Sequence, residues 1–242
     1  MAIETNTQSS AGPVTGSNSA IDPKYAELES LLVGKDRERI QMNDADFKRL
    51  SWDDLKQIVE TNRLDLLMRL PSDILKYLVW KKDTIAKYGS VANYVLEQKL
   101  QWGEGTPGPK SLDLFAEKSD YKILLNDFPY GLEDSIIHIV VWSKVIIPKQ
   151  NFKAHDGTTI DDLPNETRIA INNFVDQNFA QPLGLNISDI LWFKNWTALQ
   201  SIREIDHFHV LLRKPPLDQR IFDLLREDVD VAIKLGQVDS RF

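Results

Sequence analysis

Residues 135–148 read SIIHIVVWSKVIIP, and just before them residues 121–131 read YKILLNDFPYG. Isoleucine, valine and aromatic side chains crowd both runs. Such side chains are stiff at the first torsion and fit a pleated sheet better than a helix. The runs are therefore expected to be strands, joined by a turn around Pro129–Gly131. The pattern returns in DILWFKNW at 189–196 and EIDHFHVLLR at 204–213. No apolar run approaches the roughly 20 residues of a membrane helix.

The chain up to about residue 102 is patterned differently. SWDDLKQIVETN has the spacing of a capping box, with Ser51 as N-cap and Asp54 three residues on. LPSDILKYLVWKKDTIAKYG places Ile74, Leu75, Leu78, Val79 and Ile85 on roughly one helical face, and Gly89 can close the helix. SVANYVLEQKLQW begins another helix, with Ser90 as N-cap. Glycine and proline punctuate GEGTPGPKS, residues 103–111, which marks a loop. In the second half, LPNETRIAINNFVDQNF is expected to be a helix with Pro164 near its first turn. LDQRIFDLLREDVDVAIKLG is expected to be a last amphipathic helix, with Ile221, Leu224, Leu225 and Ile233 facing one way and Gly236 as its stop. The fold class is α+β: a helical N-terminal half packed on a mostly antiparallel sheet with helices. The expected divisions are a disordered tail over 1–23, a helical region over 24–104 and an α+β region over 105–242 that carries the site.

Composition removes several classes of function. The formal charge is −7, so nucleic acid is not an expected partner. The chain has no cysteine, which excludes disulfides, thiolate nucleophiles and cysteine zinc sites. Its first twenty residues have no basic start and no apolar core of signal-peptide length. The expected compartment is the cytoplasm, with access to the nucleus open. No membrane contact and no cofactor are expected.

Chemistry concentrates around two of the four histidines. In a strand, His207 and His209 share a face, with Phe208 and Val210 on the other. One imidazole can act as nucleophile or acid–base while the other orients a phosphate. Alternatively the pair can ligate zinc, with His138 as third ligand. A third reading makes them core residues with satisfied nitrogens. Glu204 and Asp206 lie nearby, with Asp206 expected to point away from the pair. Lys194, Arg203, Arg213 and Lys214 suit an anionic ligand, best a phosphate, and Gln200 and Ser201 offer neutral donors. Asn126 and Asp127 close a strand, where they either meet sugar hydroxyls or simply form a turn. Trp196, in a loop-like stretch, is the aromatic most suited to a pocket.

Two resemblances bear on these residues. Across residues 48–235, RLPSDILKYLVWKKDTIAKYGSVANYVLEQKLQW, ILLNDFPYGLEDSIIHIVVWSK and WFKNWTALQSIREIDHFHVLLR resemble a fungal family named for induction by N-acetylglucosamine, a domain of unknown function. That resemblance implies a link to amino-sugar or cell-wall metabolism in a fungus, and no reaction. Over residues 121–214 the order of elements is similar to the histidine-triad fold, which binds nucleotides and transfers or hydrolyses their phosphates. This second resemblance gives Asp127 the role of ribose ligand. It places His138 and Lys144 in an H-x-x-V-x-x-K strand, and Asn195, Gln200, Ser201, His207 and His209 in the order that family uses.

The departures are specific. Three alternating histidines become two. In one register His209 is the nucleophile and Leu211 replaces the third histidine. In the other, His207 is the nucleophile and Ile205 replaces the first. The second register needs only one extra residue between Ser201 and the pair. Ala198 and Leu199 stand where glycines would let a phosphate approach the backbone. Two functions are therefore expected in competition. One is a hydrolase or transferase acting on a nucleotide or nucleotide sugar. The other is a non-catalytic regulatory or interaction protein that binds a phosphorylated sugar or nucleotide.

Overall fold

Both long strands are central, and their neighbours come from both directions along the chain. The structure is a computed structural model and describes residues 23–32, 36–153, 159–228 and 234. A 3-10 turn (Pro23–Leu31) leads to α1 (Asp36–Arg39), α2 (Trp52–Glu60), α3 (Pro71–Tyr88) and α4 (Val91–Tyr94), which runs on through a π turn, Val95–Lys99. Then follow β1 (Tyr121–Leu125), β2 (Ile136–Ser143), β3 (Gln150–Lys153) and β4 (Thr159–Asp162). After these come α5 (Asn165–Val175), α6 (Gln181–Leu183), β5 (Ile190–Phe193), β6 (Asp206–Arg213) and α7 (Gln219–Leu224). The main sheet is antiparallel with strand order β1-β2-β6-β5, and β3 pairs with β4 separately. The expected α+β class with a mostly antiparallel sheet is what the chain adopts.

Every residue of β2 is buried, because helices cover both faces of the sheet. One face carries Ile123, Leu125, Ile137, Ile139, Val141, Phe208, Val210 and Leu212. It packs on Ile171, Phe174 and Val175 of α5 and on Ile221 of α7. The opposite face carries Leu124, Ile136, Val140, Trp142 and Leu211. Its two ends are roofed by the N-terminal half: Trp52, Leu55 and Ile58 of α2 at one end, Val91, Ala92, Val95 and Leu100 at the other. Each such aliphatic side chain contributes roughly 1.5–3 kcal/mol when fully buried. A strand sandwiched in this way must be apolar on both sides, which accounts for the unbroken run at 136–142.

The expected caps form. Ser51 and Asp54 make a reciprocal capping box, Ser90 accepts from Asn93 N–H, and Gly89 closes α3 at φ 79°. The stripe on α3 is narrower than its pattern suggests. Ile74 and Leu78 are buried, but Val79 and Ile85 face solvent. The helix is turned so that Tyr77 and Trp80 meet Phe128 instead, with ring centroids 5.2 and 4.8 Å apart. Helix α7 is also shorter than expected. Ile221 and Leu225 are buried, whereas Ile233 and Gly236 lie outside the described residues. So does the expected tail over residues 1–23, except for Pro23, which opens the first 3-10 turn. The β3–β4 hairpin was not expected, although the Asp-Gly step at 156–157 is a hairpin signal.

Gly131 ties the two halves together. Its N–H donates to Met68 C=O at 2.7 Å, and its C=O accepts from Leu50 N–H at 2.9 Å. A Cβ at this position would press on the Phe47 ring, 2.8 Å from Cζ. Gly131→Ala should therefore cost about 1–3 kcal/mol of stability, read as a lower urea midpoint with unchanged slope. In the background of Phe47→Ala the same change should cost less, because its clash partner is gone. Equal costs in both backgrounds would contradict this packing.

Candidate functional site

The antiparallel register sets Val140 opposite His209 and Trp142 opposite His207. Residues of the same parity share a face, so His138, His207 and His209 all stand on the side roofed by the N-terminal half. His138 Nε2 and His209 Nδ1 are 3.0 Å apart. Asn195, two residues beyond β5, brings its amide nitrogen 3.2 Å from His209 Nε2 and 3.0 Å from the Tyr130 hydroxyl. Asn126, just past β1, accepts from Phe128 N–H at 2.9 Å, which aims its NH2 at the His138 ring, 3.2 Å from Nε2. Aromatic rings line the chain of polar groups. Tyr130 stacks on His138 at 5.2 Å and Phe193 on His209 at 4.9 Å. Trp142 lies 4.6 Å from His207.

The imidazole–imidazole bond has room for one proton. Two arrangements fill it. In one, the Asn195 amide donates to His209 Nε2, and His209 Nδ1–H donates to His138 Nε2. In the other the amide is turned over, Asn195 Oδ1 accepts from His209 Nε2–H and the Tyr130 hydroxyl, and His138 Nε2–H donates to His209 Nδ1. Both leave one end of the Asn195 amide without a partner among the described residues; in the arrangement observed it is Oδ1. Both are built from neutral rings; with the amide as observed, a further proton on His209 Nε2 would face the Asn195 NH2.

Burial enforces the same state. All three histidines are at most 6 % exposed. Desolvation, reinforced by Arg69, pushes His138 down to about 3. Burial likewise pushes His207 down to about 4, and His209 falls well below the ordinary histidine value through burial and its two histidine neighbours. His207 differs in one respect. Its Nδ1 lies 2.8 Å from the Ile205 carbonyl and must donate to it, which leaves the lone pair on Nε2.

The structure brings together Asn126, His138, Asn195, His207 and His209, with Gln200 behind them donating to the Asn195 carbonyl at 2.9 Å. The other expected ligand residues are engaged elsewhere. Asp127 pairs with Lys99 at 3.2 Å and Lys234 at 2.6 Å. The Lys144 ammonium donates to Pro107 C=O and sits over the Trp102 ring. Arg213 pairs with Asp189 and covers Trp52. Trp196 donates from Nε1 to Asn62 Oδ1 at 3.0 Å. Ser201 and Arg203 face solvent. Among the described residues no three histidine or carboxylate side chains are placed to share a metal ion.

One participant, Tyr130, carries little sequence signal. It lies in a turn, and its stacking on His138 follows only from the tertiary fold. Asp206 points off the histidine face, as its parity requires, and there accepts from the buried Lys194 ammonium at 2.7 Å. Burial lowers the Lys194 pKa, partly opposed by Asp206. Lys194 and Asn195 also line a cavity of about 560 Å3, together with residues of β5, the end of α2, β4 and α5.

An antiparallel α+β sheet roofed on both faces, with a neutral imidazole pair at its centre, defines the class of protein. The chain belongs to the family described as "Protein of unknown function (DUF3605)", whose model matches residues 51–213. It is similar to N-acetylglucosamine-induced protein 1 of Candida albicans, 30% identical over 190 residues, 72% of each chain. It is also similar to uncharacterized protein YPL067C of Saccharomyces cerevisiae, 33% identical over 167 residues, covering 68% of this chain and 79% of that one. A crystal structure titled HTC1 shares the fold, with TM-score 0.53 and 28% identity, covering 73% of this chain and 95% of that one.

Neutral buried histidines make stability depend on pH. The unfolded chain takes up protons on these rings near pH 6.5, whereas the folded chain does not until about 3 to 4. Between those values the unfolded state binds more protons, so stability is full above about pH 7 and falls as pH drops. Each ring should cost about 2 kcal/mol by pH 5, at roughly 1.4 kcal/mol per pH unit. Urea unfolding at pH 7 and pH 5 checks this, and equal stability at both would contradict it.

Proposed function

We propose that the chain is a binding protein of the fungal amino-sugar response, which takes a sugar phosphate or nucleotide sugar without turning it over. One observation carries this reading. His209 has both ring nitrogens hydrogen-bonded inside the protein, and all three histidines are buried against Tyr130, Phe193 and Trp142. A ring in that state cannot meet phosphorus, while the cavity beside β5 offers a ligand space lined in part by Asn195. The link to amino sugars comes from the Candida relative's name. The absence of a membrane-spanning helix among the described residues is compatible with action in the cytoplasm.

A second reading is supported by His207. Its Nδ1–H is anchored on the Ile205 carbonyl, so Nε2 carries a lone pair aimed away from the backbone. In a histidine-triad type of reaction this nitrogen would attack phosphorus and expel the leaving group. Water would then hydrolyse the phosphohistidine. That chemistry needs the cover over β6 to open.

A thermal-shift panel separates the readings. It comprises nucleotides, UDP-N-acetylglucosamine and N-acetylglucosamine 6-phosphate, with product analysis on each hit. A ligand that binds only the folded chain raises its melting temperature; at a hundredfold over Kd the gain is about 2.7 kcal/mol. The binding reading expects a shift with no released nucleotide, phosphate or sugar. Turnover lost in His207→Ala would replace it with the second reading. No shift from any phosphorylated sugar or nucleotide would overturn both.

A further inference from the structure

We propose that the cavity along β5 is a subsite for a neutral polyhydroxylated ring, the sugar portion of the ligand, which leaves any phosphate at the mouth. This rests on the binding reading above and specifies which part of the ligand enters. The cavity, about 560 Å3, falls within the roughly 300–1,000 Å3 of small-molecule sites.

Charge balance argues against a buried phosphate. Each cation on the lining is committed. Arg168 pairs with Asp162, and Lys194 pairs with Asp206. Lys149 donates to the Thr197 hydroxyl, which itself bonds to Asp161. A dianion beside Arg168 or Lys194 would also meet the carboxylate that already pairs with that cation, and at the buried Lys194 such a contact is costly.

The Asn195 amide asks for a group that can both donate and accept. Asn195 lines the cavity and is 6 % exposed; its Oδ1 is sealed from solvent and has no partner among the described residues, so a ligand group reaches it only when the side chain turns toward the cavity. A hydroxyl satisfies whichever end is free, because it carries a donor and two acceptor lone pairs. β5 has a strand partner on one side only, β6, so its outer edge turns backbone N–H and C=O groups toward the cavity. These alternate donors and acceptors suit successive hydroxyls. Trp192 supplies a wall, and its Nε1–H is held by Asn172 Oδ1 at 2.8 Å. A fixed aromatic surface of this kind packs against the C–H face of a sugar ring.

Calorimetric titration of the full chain tests the assignment with three probes: N-acetylglucosamine, UDP-N-acetylglucosamine and UDP. Two variants accompany them. Asn195→Ala removes the unpaired amide. Thr61→Trp fills the cavity from its exposed rim at the end of α2, where Thr61 bonds only to the Gln57 backbone, so the core is untouched. Both N-acetylglucosamine probes should bind, with UDP alone at least about tenfold weaker than UDP-N-acetylglucosamine. Asn195→Ala should weaken binding about tenfold, the scale of one buried hydrogen bond, and Thr61→Trp should abolish it at an unchanged melting temperature. UDP-N-acetylglucosamine binding that survives Thr61→Trp would overturn the subsite and leave the binding reading standing. UDP binding as tightly as UDP-N-acetylglucosamine would also overturn it. Silence from all three probes would overturn the subsite and count against the binding reading together.

Discussion

A single hydrogen bond between two buried imidazoles, His138 Nε2 and His209 Nδ1 at 3.0 Å, constrains much of what surrounds it. One proton sits between the rings, and burial keeps both rings neutral. Neutral rings in a low-dielectric interior need every nitrogen placed against a suitable partner, because an unpaired buried polar group costs a few kcal/mol. Asn126 and Tyr130 from the β1–β2 connection and Asn195 from the β5–β6 connection meet that need. Each is in turn fixed: Asn126 by Phe128 N–H, the Tyr130 turn by Gly131 on Met68 and Leu50, and Asn195 by Gln200. The polar chain therefore links the sheet to the segments that cross it.

The N-terminal half has a physical purpose in this arrangement. A sheet face bearing histidines, Trp142 and Leu211 would otherwise be open to water, and the rings would take up protons below neutral pH. Trp52 and Leu55 of α2 cover one end, and Val91 of α4 with Val95 of the π turn cover the other; Tyr130, Phe193 and Asn195 close over His138 and His209 between them. Lys194 and Asn195, which belong to the buried network, also line the cavity beside β5.

Local chemistry made much of this legible from the sequence. Capping residues such as Ser51 and Ser90, the strand runs and the shared face of His207 and His209 are properties of a few neighbouring residues. The face was legible, but not what lies over it. Whether α2 and α4 cover the sheet or leave a pocket depends on contacts between residues far apart in the chain, such as Trp52 with Leu211. The same limit explains why Asp127, Lys144 and Arg213 fit a ligand-binding pattern in order yet are held by Lys99, Pro107 and Asp189 in space. The exposed Val79 and Ile85 illustrate it again: a helical stripe gives periodicity, while the neighbouring aromatics set its rotation.

The central claim is that His138 and His209 form a closed, neutral pair. Long-range 1H–15N spectra of the histidine rings, recorded from pH 8 to pH 5 on the folded chain, measure this directly through the ring-nitrogen shifts. The account predicts that both rings keep one protonated and one bare nitrogen throughout, with no titration in that range. A ring of the pair that gained its second proton with a midpoint near 6.5 would contradict it, and would place that histidine within reach of solvent and of a phosphorylated substrate.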